Sequence, residues 1–147
     1  MVGEEVCSCT SHTEPGGVRT LPMSSTSRVT FDPARVHPAV ADQLASYQSE
    51  LVARVDGLVQ AHDVVIVGMT MNPFPGRARR LLDEQGIRYE YLGLGSYLSQ
   101  WRLRLALKMW TGWPTFPMIF VKRTFIGGFN DLKRLVDSGE LKQLLAG

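Results

Sequence analysis

The sequence predicts an α/β domain with a helix added in front of it, and three observations carry that prediction. Val64-Val65-Ile66-Val67-Gly68 is a β-branched run of buried-strand type. Met118 to Val121 follows Pro117 directly, which suits a strand's beginning because proline cannot donate to the ladder; Thr124 to Ile126 then returns after Lys122-Arg123. Between and beyond these strands, apolar residues recur at helical spacing.

Taken in order, residues 1–36 read as a flexible tail, because Ser, Thr, Gly and Pro dominate and no apolar period is sustained. The chain's two cysteines, Cys7 and Cys9, both lie there, so no disulfide framework holds the domain. Cys7, Cys9 and His12 make three soft ligands where a structural zinc site needs four, so no metal site is expected. Met23 offers an alternative start that would remove both cysteines.

Residues 37–62 read as one amphipathic helix. Val40, Leu44, Tyr47, Leu51, Val55 and Leu58 recur at steps of three and four, and Pro38 suits a first turn. The stripe could pair with a second copy, but is expected to pack on the domain that follows, residues 63–147, which offers nearby apolar surface.

Within that domain the strand at Val64 is followed by Met69 to Gly76 and a helix from about Arg77 to Gln85, with Gly86 as its C-cap. Tyr89 to Leu94 reads as the next strand and Leu98 to Met109 as a second amphipathic helix. After the Met118 and Thr124 strands, Gly127-Gly128 allows close backbone approach before a helix beginning near Asn130 or Asp131, and Glu140 to Ala146 closes the chain. The order β-α-β-α-β-β-α fits the thioredoxin fold.

Length and charge exclude some partners. A chain of 147 residues suits one domain with a proper core. A net charge of +2 exerts no strong pull on nucleic acid, and no aromatic-plus-basic motif supports such a partner. The longest apolar run, near Val64 to Val67, is too short to span a membrane, and Met1 to Glu5 lacks the order of a signal peptide. A cytoplasmic location is the expectation.

The stretch Trp113-Pro114-Thr115-Phe116-Pro117, a short hairpin, and Gly127-Gly128-Phe129-Asn130 resembles the glutaredoxin family, most closely its monothiol members. Those carry W-P-T-x-P and G-G-C-D in the same order. The resemblance implies a four-stranded mixed sheet flanked by helices, a cis peptide before Pro117, and a glutathione site. It places Asn72-Pro73-Phe74-Pro75 where the family carries C-P-Y-C or C-G-F-S. Asn72 then stands at the nucleophile's place, and an amide can neither form a mixed disulfide nor ligate an iron–sulfur cluster well. The expected reading is a degenerate, cysteine-less site with no catalytic residue, binding glutathione, a thiol peptide or a protein partner.

The resemblance also assigns the binding residues. Arg104, with Lys108 one turn later, would meet the glycyl carboxylate, and the main chain of Phe116 before Pro117 the cysteinyl part. Gly128, Phe129 and Asn130 would receive the γ-glutamyl end, with neutral Asn130 in place of aspartate and Asp131 able to substitute. Asn72 and Phe74 complete the set, Asn72 as a donor to the ligand or as a helix cap. The alternative is a glutathione-dependent enzyme in redox homeostasis, either transferase-like through Asn72 or Thr70, or redox-active through Cys7 and Cys9.

Overall fold

The computed structural model describes residues 28–147. Cys7, Cys9, His12, Met23 and most of the expected tail therefore lie outside the described residues. Packing divides the chain into Met1–Thr30 and Phe31–Gly147, and the architecture below is that of the second unit.

The four strands are β1 (Val64–Gly68), β2 (Glu90–Gly93), β3 (Met118–Val121) and β4 (Thr124–Gly127). They form one sheet in the order β2-β1-β3-β4. β1 runs parallel to β2, while β1–β3 and β3–β4 are antiparallel. The sheet is thus mixed, as the thioredoxin fold requires. Every residue of β1 and β3 is buried, which explains why both read as unbroken apolar runs rather than alternating ones.

The helices of this unit are α1 (Pro38–Ser46), α2 (Ser49–Ala61), α3 (Pro73–Glu84), α4 (Trp101–Thr111), α5 (Phe129–Asp137) and α6 (Glu140–Ala146). Two layers cover the sheet. Val65, Val67, Met118 and Phe120 pack with Leu51, Val55 and Val59 of α2 and Leu107 of α4. Val64, Ile66, Ile119 and Val121 point the other way, onto Ala78 and Leu82 of α3, Leu132 of α5 and Leu141 of α6. Successive strand residues feed opposite layers, as the pleat dictates. Among the described residues no helix is long and apolar enough to cross a membrane.

Several boundaries differ from expectation: α4 runs Trp101–Thr111 rather than Leu98 to Met109, and two other differences bear on the fold. The single helix over residues 37–62 is broken: Gln48 adopts a left-handed backbone (φ 50°) between α1 and α2, and α1 buries no residue. Unbroken, that helix would run roughly 36 Å, about as long as a domain of this size is wide, so its first turns would outrun the core. The buried stripe is Leu51, Val55 and Val59, at regular four-residue steps, while Val40 and Leu44 stay exposed. The second difference is the start of α3. It begins at Pro73, not Arg77, because prolines are tolerated where the first-turn N–H groups have no helical partner.

The hairpin between β3 and β4 turns on Lys122 and Arg123, both at positive φ (46° and 66°). Lys122 is tied to the start of β1: its N–H donates to the Asp63 carbonyl at 2.7 Å, and its Nζ lies 3.0 Å from Asp63 Oδ1.

Candidate functional site

A cleft of about 450 Å³ opens where α3 and α5 begin, at the end of the sheet that carries Pro117. Its lining brings together Asn72, Phe74, Lys108, Phe116, Pro117, Gly128, Phe129 and Asn130, eight of the nine sequence-assigned binding residues. The Phe116–Pro117 peptide is cis. Pro73 also lines the cleft, whereas Pro75 is buried beneath it and packs close to Gly68, where a Cβ would lie 2.8 Å from that of Pro75.

Asn72 caps α3. Its Oδ1 accepts from the Phe74 N–H at 3.0 Å, which fixes the amide's orientation and turns Nδ2 across the cleft. There Nδ2 donates to the Phe116 carbonyl at 3.0 Å. One side chain thereby ties the start of α3 to the residue before the cis-proline, 44 positions away. The amide serves as cap and cross-tie at once.

Arg104 is not in the cleft. It is the one buried charged residue among those described, and its guanidinium turns toward the loop between β2 and α4. Nη1 donates to the carbonyls of Leu94 (3.0 Å) and Ser99, and Nη2 reaches that of Tyr97 at 3.5 Å. The assignment of Arg104 to a ligand carboxylate is therefore corrected: three loop carbonyls take its donors. Lys108, one turn further along, is the cation of this helix that lines the cleft, with Nζ 5.9 Å from the Phe116 ring centroid.

The opposite wall is set by glycine. Gly127 (φ 106°) leaves room for Asp131 Oδ2, which a Cβ there would approach to 2.6 Å. Asp131 Oδ2 accepts from the Gly128 N–H at 3.0 Å, so α5 starts at Phe129, ahead of the expected position. Among the described residues Asp131 is the only carboxylate lining the cleft, and Arg134 stands 3.7 Å from its other oxygen. Asn130 is exposed on the first turn. Trp113 closes the floor with its ring edge-on to Phe125, and its Nε1 is buried without a partner among the described residues, beside Gly128.

Two helix N-termini and Lys108 thus converge on a cleft in which Asp131, the one carboxylate among the described lining residues, is engaged as a cap, an environment suited to an anionic ligand. Thr70 does not line it; its N–H donates to the Gly95 carbonyl at 2.7 Å. Tyr97 and Met69 do line it and were not anticipated. Tyr97 sits on an irregular loop, where no periodicity marks a side chain's direction.

Comparison with known proteins agrees with this fold. The family model described as Glutaredoxin matches residues 64–126. A Glutaredoxin-like protein of Dictyostelium discoideum is 38% identical over 102 residues, covering 69% of this chain and 83% of that protein. Monothiol glutaredoxin-4 of Schizosaccharomyces pombe is 33% identical over 102 residues, 66% of this chain but only 41% of the relative's length. Among solved structures, a buckwheat glutaredoxin–glutathione complex superposes with a TM-score of 0.60 and 25% identity, over 71% of this chain and 92% of that one.

Proposed function

We propose that this chain, which belongs to the glutaredoxin family, binds glutathione in its cleft without exchanging disulfides there. The observation that carries the reading is the double engagement of Asn72. At the family's nucleophile position stands an amide whose oxygen caps α3 and whose nitrogen holds the Phe116 carbonyl. It has no lone pair able to attack sulfur, and its geometry serves the scaffold.

The residues present fit glutathione. Lys108 offers an ammonium to the glycyl carboxylate, and the main chain at Phe116 lies along the cysteinyl part. The first turn of α5, with Gly128, Phe129 and Asn130, receives the γ-glutamyl carboxylate through its free N–H groups. Neutral Asn130 gives the ammonium end a weaker partner than a carboxylate would, so modest affinity is expected. An iron–sulfur cluster does not fit the same residues, because among the described residues no thiolate lines the cleft.

Titrating reduced glutathione into ¹⁵N-labelled protein tests this directly. Amide resonances of Lys108, Phe116, Gly128 and Phe129 should shift together and saturate, and Lys108→Ala should weaken the apparent affinity about tenfold. Shifts confined to other surfaces, or none, would overturn the proposal.

A further inference from the structure

We infer that the cleft continues outward into a docking surface for an acidic, apolar polypeptide segment of a partner protein. This goes beyond glutathione binding and stands or falls separately from it.

Its first support is exposed apolar surface concentrated at one place. Phe74 and Tyr97 line the cleft and still face solvent; Met71, next in the chain to Asn72, is 76% exposed, Leu98, next to Tyr97, 95%, and Trp101, the first residue of α4, 56%. Leu105 continues the patch along α4, one turn beyond Trp101 and one turn before Lys108. Scattered exposed apolar side chains need no explanation, but six on the segments that supply the lining of one cleft point to an interaction site.

The second support is charge. Residues 64–82 and 91–121, which supply Met69, Asn72, Phe74, Tyr97, Lys108 and Phe116 to the cleft, contain no Asp or Glu; Asp83 and Glu84 lie at the far end of α3, and Asp131 of the opposite wall is held as a cap. In a chain of net charge +2 this is segregation, since the acidic residues lie elsewhere. Arg77, Arg102 and Lys108 remain around the patch, and among the described residues none of them pairs with a carboxylate. The partner that complements such a surface carries carboxylates between apolar side chains.

Cation placement favours polypeptide over nucleic acid. Arg77 lies over the Phe74 ring (5.2 Å), Arg102 over Trp101 (5.4 Å) and Lys108 over Phe116 (5.9 Å). Each of these rings carries one of the chain's own cations, which leaves less of it for the base stacking that single-stranded binding uses. Exposed Met71, Leu98 and Leu105 instead offer aliphatic contacts.

The test is fluorescence anisotropy with three labelled probes: a short peptide alternating Glu and Leu, its Lys–Leu counterpart, and an oligouridylate of matching length. The Glu–Leu peptide should bind saturably, at least ~10-fold tighter than the other two, and weaken with added salt. Arg77→Glu/Arg102→Glu should cost about 10-fold or more, whereas Arg88→Glu, exposed at the far edge beside β2, should stay within about 2-fold. Because Lys108 is left intact, the double variant should still take up glutathione, which separates this surface from the cleft itself. No saturable peptide binding, equal binding of the Lys–Leu peptide, tighter binding of the oligouridylate, or indifference to the double substitution would each overturn the inference.

Discussion

Between Trp113 and Asp131 the cleft is shaped by backbone: a cis-proline, two glycines and the start of a helix. Between Met69 and Lys108 it is held by side chains that reach across gaps, Asn72 to Phe116 and Arg104 to the loop after β2. The first wall depends on residue types that permit only certain dihedrals, so it tolerates few substitutions and changes little in function when side chains vary. The second depends on individual polar contacts, and there a single residue can turn a reactive site into a brace. The contrast explains how the cis-proline and double-glycine wall can stand unchanged beside a helix start that carries Asn72.

The largest expected effect is a gain. Asn72→Cys places a thiol at the N-terminus of α3, where the helix dipole and Lys108 lower its pKa. Disulfide reduction coupled to glutathione should rise by roughly two orders of magnitude over wild type. Unchanged activity would mean that the second wall differs from a working site by more than one residue.

Arg104 and Lys108, four residues apart, sharpen the contrast next. Arg104→Ala orphans loop carbonyls and should lower unfolding free energy by about 2–4 kcal/mol in chemical denaturation. Lys108→Ala should move stability by no more than about 0.5 kcal/mol while weakening glutathione binding. The reverse pattern would restore Arg104 as the ligand contact. On the backbone-built wall, Gly127→Ala forces a Cβ onto the Asp131 carboxylate at positive φ, and a loss of about 1–3 kcal/mol should appear as a lower melting temperature. The smallest effect should be stabilising: Arg123→Gly relieves a left-handed residue in the hairpin and should add about 0.5–1 kcal/mol.

This division also governs what the sequence makes legible. β1 and β3 fall on the residues their composition indicates, since runs of buried β-branched and apolar residues have one reading at that length. Pro117 and Gly127-Gly128 announce their backbone directly. α3 is misplaced by four residues because Pro75 and Gly76 read as breakers, although a first turn has no N–H to lose. Arg104 and Lys108 share a helix face by spacing alone. Which of them turns into the protein depends on carbonyls brought up by residues 94–99, a tertiary fact with no local signal. The break at Gln48 is of the same kind: the period continues through it, but the surface that would reward burial ends.

The most direct test of the central claim is a pair of calorimetric titrations, one with reduced glutathione and one with S-methylglutathione. A cleft that holds the tripeptide through its carboxylates and main chain, with Asn72 serving as a brace, should bind both saturably, with affinities within about threefold of each other. Lys108→Ala should weaken both alike. Binding that vanishes on methylation, or the absence of binding to either peptide, would contradict the account.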